Sequence, residues 1–467
     1  MTRRGDLRPW LFAVGLLGLL GVHWVADPRP PDGVWGVVGM LAVPPWLRAP
    51  ACGLAALLAL PPVARAAVRS GRPAGRRLAA TLGRAPAGAW VALLVAVAWL
   101  LRSRTAYGDG GHIVWEIEHG QWIYYKEPLD RLAAALFYHA GHALFGWGAA
   151  TAIAVLSTLA GALFWLALVR LARSRPLGEG GAFAIWGLLG TTGATALFFG
   201  HVENYSLLAA GALWTLVLLL EAAVDPGRPL WPAAAAFGVT FATHLSAAWL
   251  AAALPVAWLV RHGGVAGLRV PERRRAAQAE ALRACGAAAL PFGLVVVGMA
   301  LAGFAPSGFS AATFGGGDGR MFVPLLRPET VYERFTMFSL PHLRFFANEL
   351  LLVAPVGLLL AVVGAVGRRS DGRRSDGGTG VLIAAAVGTL LYAFVFNPDM
   401  MVASPLGGLN EWDLFALLAT PVTLLGLWWL RTAMDEGDDR DAVVLSATAA
   451  SVLHALPWLL FNAGVRF

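Results

Sequence analysis

Long apolar stretches alternate with short polar ones along the whole chain. A helix needs about 20 apolar residues to cross the hydrocarbon of a bilayer, and most of the stretches approach that length. The first covers 10–26. The second, 34–68, is broken by Pro44, Pro45 and Arg48. It counts as one crossing with a re-entrant or kinked start, because proline frees backbone groups and bends helices. Further crossings are expected over 87–101, 149–169, 182–199 and 206–223. A pair lies within 231–260, turning at Thr243-His244-Leu245-Ser246. The last ones are 284–303, 350–366, 380–396, one starting near Trp412 and one ending near Phe461. The predicted fold class is all-α, a polytopic integral membrane protein of about 13 transmembrane helices.

The polar stretches sort by sign. Arginines gather at 65–84, 170–175, 261–283 and 368–374. Under the count above they all fall on one face, which the bias of basic loops assigns to the cytoplasm. Two large loops then lie outside, 102–148 and 304–349. In the first, Leu129, Leu132, Leu136, Ala140 and Leu144 recur at helical spacing, with Asp130, Arg131, His139 and His142 off the stripe. That pattern predicts an amphipathic helix in the membrane interface. Trp115, Trp122, Tyr124 and Tyr125 suit the headgroup level.

Composition agrees. The 467 residues are 58% hydrophobic and 14% charged, where a soluble domain carries about a quarter charged. The net charge of +8 comes from arginines in short clusters between apolar runs, a topology signal and not a nucleic-acid surface. Cys52 and Cys285 are isolated in or beside apolar segments, giving neither a disulfide framework nor a metal spacing. Arg3 and Arg4 precede an apolar run as in a secretory signal. No small-x-small cleavage site follows through His23–Asp27, so the run is read as a retained helix.

The remaining polar residues concentrate at the outer helix ends. Tyr107-Gly108-Asp109-Gly110-Gly111-His112 follows the third crossing. A carboxylate between glycines at a helix mouth is costly to place, and the glycines permit backbone angles that let it be aimed; the plain alternative is a surface turn. His201 and Glu203 lie after the fifth crossing and His244 in the turn within 231–260. Asp318 and Arg320 sit in the second loop, and Asp399, Glu411 and Asp413 flank the eleventh and twelfth crossings. Glu203 or Asp413 could simply cap a helix, as could Asn410. Arg327, Arg334, His342 and Arg344 suit either a bound phosphate or lipid headgroups.

The layout resembles the GT-C superfamily of integral membrane glycosyltransferases. The likeness rests on an acidic motif in the first large outer loop, interfacial helices there and a second outer loop late in the chain. It also covers the spacing from Gly108-Asp109-Gly110 through Glu127-Pro128-Leu129-Asp130 and His201-Val202-Glu203-Asn204-Tyr205 to Trp412-Asp413-Leu414-Phe415. The resemblance implies transfer of a sugar from a polyprenyl-phosphate carrier to a hydroxyl acceptor (glycan, lipid or protein) on the outer face of the cell membrane. Inversion at the sugar is implied, with Asp109 as general base. Glu203 joins it as a second catalytic acid, and His112, His201, His244, Arg320, His342 and Asp413 are candidate substrate-binding residues. A divalent cation, magnesium or manganese, stays open. The chain departs from the family in placing its acidic loop after the third crossing, so 1–85 reads as an N-terminal addition and 86–467 as the catalytic module. Asp109 also stands without an adjacent acid until Glu116. The competing readings are a transporter or flippase for a lipid-linked sugar, and a polysaccharide polymerase or ligase.

Overall fold

The computed structural model describes residues 7–30, 33–84, 86–105, 107–174, 181–305, 307–309, 321–328, 333, 335–366, 377–398, 407–434 and 436–465. Every regular element among them is helical, apart from one isolated antiparallel bridge between Phe322 and Phe396. Helix α1, Arg8–Val25, buries Phe12, Leu16 and Leu20 and leaves Leu11, Val14 and Leu17 exposed. Residues four apart share a helix face, so one stripe packs on protein while the other is free to meet lipid.

Among the described residues, seven helices are long and apolar enough to cross a membrane, or up to nine if each of two bent pairs is one span. The chain is a multi-pass membrane protein, and the expected count of about 13 is not confirmed among the described residues. The differences have local causes. The 34–68 run does contain the sharp break expected at its prolines. A 3-10 segment, Trp35–Ala42, meets α2, Pro45–Ala59, at 120°. A similar break, at 99°, separates Leu340–Val353 from Pro355–Val366. Proline pushes the residue before it out of helical geometry, and Ala354 is indeed non-helical (φ −152°, ψ 48°). The 182–199 run is a series of short α, π and 3-10 pieces. The 231–260 run splits at His244 into Trp231–Thr243 and the short apolar stretch Leu245–Arg261. Thirteen residues of helix rise only about 20 Å, short of a hydrocarbon core about 30 Å thick.

The remaining helices are α3 Pro61–Arg84, α4 Ala87–Leu100, α5 Gly110–Glu118, α6 Pro128–Phe145, α7 Ala149–Ser174, α8 Ser206–Val224, α9 Trp231–Thr243, α10 Ala253–Arg261, α11 Pro271–Leu301, α12 Leu340–Val353, α13 Pro355–Val366, α14 Gly377–Val395, α15 Ala419–Ala433 and α16 Asp438–Asn462. Their directions give the bundle two chemically different ends. At one, Arg170 near the end of α7 grips Glu221 near the end of α8, and Arg228 joins it. Arg261 and His262 hold Glu280. Arg65, Arg69 and Arg72 pair with the acids that open α16. At the other end, Glu118 accepts from the Ala149 amide at the start of α7. There too the carbonyl of Lys126 takes the Leu245 amide just after α9, and Tyr107 bonds Asn462 at the end of α16.

Helix α6 lies at this second end. Its buried side carries Asp130, Arg131, Ala134 and Ala135, while Leu136 and Leu144 of the apolar stripe are exposed. The stripe therefore points away from the protein, as it must if lipid covers that side.

Small residues let helices approach. A Cβ at Gly357 of α13 would stand 2.2 Å from Thr423 Oγ1 on α15, and one at Gly426 would stand 2.8 Å from the Gly357 carbonyl oxygen. Such contacts drive helix association where lipid is as apolar as the side chains. Gly426→Val should destabilise the detergent-solubilised protein by about 1–3 kcal/mol, the usual cost of overpacking. Gly18→Val, which meets nothing within 4 Å, should leave the melting temperature unchanged.

Candidate active site

Asp109 stands directly before α5 in a turn that only small neighbours allow. Gly108 has φ +47°, in the left-handed region. A Cβ there would come 2.8 Å from Glu203 Oε1, and one at Gly110 would come 2.3 Å from the Val202 carbonyl oxygen. The 200–205 turn thus presses onto both glycines, and Asp109 between them is exposed. Its charge acts on Glu203, Glu127 and Tyr124, so the carboxylate stands among the other acids of this end.

The turn itself is anchored from behind. His201 Nε2 is 2.7 Å from Asp413 Oδ2, and both side chains are 2% exposed. Asp413 Oδ1 accepts from the amide of Leu414. Trp412 and Tyr107 pack against the imidazole, at 5.1 and 5.9 Å between ring centres. Tyr107 donates to Asn462 Oδ1 at 2.6 Å, and burial raises its phenol above the usual range. Asp413 lies in the 3-10 segment Gly407–Leu418, so this bond joins the turn after residue 199 to the start of the last-but-one helix.

Glu203 is buried, and its Oε1 has no hydrogen-bond partner. Burial drives its carboxyl well above the usual carboxylate range, and Asp413, Asp109, Glu411 and Glu127 push it further. It does not cap α8, whose preceding residue is Tyr205 and whose start has no side-chain cap bond.

A second set of charges runs beside it. His112, exposed on α5, contacts Glu116 Oε1 at 3.1 Å. Arg131 bridges Glu116 and Glu127, the latter at 3.7 Å. Glu127 also accepts from Asn204 Nδ2 and lies 3.6 Å from His244 Nε2. Burial pushes Glu127 up to about 7, against the pull of Arg131 and Lys126. Burial, helped by Lys126, drops His244 to about 3. The ring is therefore neutral at pH 7, with Nδ1 accepting from the Ser246 amide and Nε2–H facing Glu127.

The structure brings together Asp109, His112, Glu203, His201, Asp413 and His244. His342 is placed otherwise: its ring stacks on Phe335 and its Nδ1 meets the Met337 carbonyl. Arg320, Asp318, Arg334 and Asp399 lie outside the described residues. Residues not singled out from the sequence also belong to this end. Arg131 on α6 reaches Glu116 on α5, and Glu127 joins α6 to Asn204 and His244. Lys126, the one lysine in the chain, is exposed beside them. Glu349 on α12 is fully buried with both oxygens unpartnered, and Asp413 and Glu411 act on it electrostatically. A lone acid inside an apolar helix was its legible signal. Among the described residues no three His, Cys, Asp or Glu side chains converge to hold a metal ion.

No family model and no curated protein matches the chain. Among solved structures it is similar to ArnT from Cupriavidus metallidurans bound to undecaprenyl phosphate. That match has 14% identity and a TM-score of 0.46, covering 81% of this chain and 76% of that one. The same protein in the apo state is 16% identical, with a TM-score of 0.46 over 81% and 77% of the two chains.

The buried Glu203 carboxyl has a pH signature. Its folded-state pKa is raised, so its contribution to stability is present below the unfolded value of about 4.3 and lost as pH rises. Glu203→Gln, which cannot ionise, should melt at a higher temperature than wild type at pH 8. The gap should close as the pH approaches 4.5. Equal melting temperatures at pH 8 would contradict the burial argument.

Proposed function

We propose that this chain is a membrane glycosyltransferase that moves a sugar from a polyprenyl-phosphate carrier to a hydroxyl acceptor on the outer face. The observation carrying this reading is the exposed Asp109 carboxylate, held between two glycines above a group of otherwise buried acids. A hydroxyl is a weak nucleophile until a base within hydrogen-bond reach takes its proton. An exposed, aimed carboxylate is such a base.

In the reaction the acceptor oxygen bonds to the anomeric carbon while the bond from that carbon to the phosphate oxygen breaks. The bonding electrons leave with the phosphate, and the hydroxyl proton passes to Asp109. Attack opposite the leaving group inverts the anomeric centre. Glu203, buried beneath the Asp109 turn with one unpartnered oxygen, is the second acid assigned to the site. His112, exposed in the first turn of α5 three residues after Asp109, extends the binding surface. His201 and Asp413 are bonded to each other and hold the Glu203 turn. His244 supports Glu127. Lys126 and Arg320 are the cations assigned to the carrier phosphate, with His342 backing the second loop. No step is routed through a metal.

The acids around Asp109 lie at one end of the helices and the arginine clusters, with the carboxylates they pair, at the other, whereas a transporter gathers its charged residues near the midplane. The bias of basic residues toward the cytoplasm turns the acidic end outward.

Asp109→Asn keeps the shape and removes the base. With a reconstituted polyprenyl-phosphate sugar donor it should lower kcat by about 100-fold or more, with the melting temperature unchanged. A rate near wild type would overturn the assignment. Mass spectrometry of surface glycans with and without the protein identifies the acceptor. In a cysteine-free background, a cysteine at exposed His142 should react with an impermeant maleimide in intact cells, and one at Arg228 only after permeabilisation. The reverse pattern would put the acidic end inside.

A further inference from the structure

Two histidines far apart in sequence meet inside the bundle, and the proposed reaction uses neither. His23 is on α1 and His454 on α16, and each is 3% exposed. Three contacts tie them down. His23 Nδ1 is 2.9 Å from the Leu19 carbonyl oxygen. His23 Nε2 is 2.9 Å from His454 Nδ1. His454 Nε2 is 2.7 Å from the Leu352 carbonyl oxygen on α12.

A carbonyl only accepts, so the two outer nitrogens must each carry hydrogen. The central contact needs a third. A neutral imidazole has one N–H and one bare nitrogen, so two neutral rings bring two hydrogens to three contacts. One contact must then set two lone pairs against each other. A bridging zinc does not fit, because tetrahedral bonds of about 2.0–2.1 Å hold two nitrogens about 3.3 Å apart, farther than the 2.9 Å found here.

We infer that His23 and His454 together form a binding site for one proton, which completes the three contacts and fastens α1 and α12 to α16. Of the residues around the pair, Val37, Gly39, Met40, Leu352 and Trp458 carry no titratable group. The neighbouring helices bring few others. Arg48 of α2 bonds the Met40 and Val43 carbonyls. Glu349 lies one turn before Leu352 on α12 and interacts with Asp413 and Glu411. Arg8 and the acids Asp438, Asp439 and Asp441 lie at the opposite ends of α1 and α16. The latch reaches the acidic end through Trp458, one turn after His454, which packs on Trp412 and Tyr107 at 5.4 and 6.0 Å.

The direct test is nitrogen NMR of the full-length protein with 15N-labelled histidine, between pH 5 and 9. A through-hydrogen-bond N–N coupling identifies the pair. On the acid side one ring should show both nitrogens protonated while its partner shows one. Two neutral rings throughout the range would overturn the inference. In parallel, the melting temperature of wild type minus that of His454→Phe should be largest at low pH and shrink as the pair loses its proton. A difference independent of pH also counts against the latch. If the variant does not fold, the wild-type spectra decide alone.

Discussion

The bond from His201 to Asp413 is the constraint on which the acidic end depends. It closes over 212 residues of chain, and both partners are buried. A charge taken out of water is costly unless it is paired and hydrogen-bonded. Here the imidazole, the Leu414 amide and the packing of Trp412 and Tyr107 meet that need. Removing either partner would leave the other buried and unpaired. The bond fixes the 200–205 turn, the turn presses Val202 and Glu203 against Gly108 and Gly110, and Asp109 is left as the projecting group.

The same end stores unsatisfied polarity. Glu203 Oε1 and both oxygens of Glu349 lack partners, as do the Tyr392 hydroxyl and the Trp412 indole nitrogen. Buried polar groups are nearly always hydrogen-bonded, so a cluster of exceptions around Asp413 marks where stability has been given up. The arginine end is different. Its carboxylates are each held by two side chains, Glu221 by Arg170 and Arg228 and Glu280 by Arg261 and His262.

The N-terminal residues are woven into the rest. Arg8 reaches the Ala433 carbonyl, the Gly36 amide donates to Asn348, and Arg65 bonds Asp439. Gly39 lies so close to α16 that a Cβ would stand 2.5 Å from the Trp458 amide nitrogen. The described residues between 7 and 84 support the same helices that carry Asn348, Glu349 and Trp458.

The sequence by itself determined the class of the protein and the polarity of its ends. Apolar length, arginine clusters and the acids at helix mouths are properties of neighbouring residues, and they survive folding unchanged. The break at Pro44 and Pro45 was legible for the same reason, since proline acts on its own backbone. The number of continuous spans was not legible. The 182–199 and 231–260 runs are apolar enough, but hydropathy measures composition and does not register where a backbone leaves helical geometry. Tertiary structure alone decided which acids became neighbours. Glu127 reads as part of a loop motif until Asn204 and His244 arrive from two distant parts of the chain. Glu349 reads as an oddity in an apolar helix until Asp413 and Glu411 are set beside it. Such meetings depend on how helices cross, and the crossing is set by contacts such as Gly357 on Gly426, which no local pattern specifies.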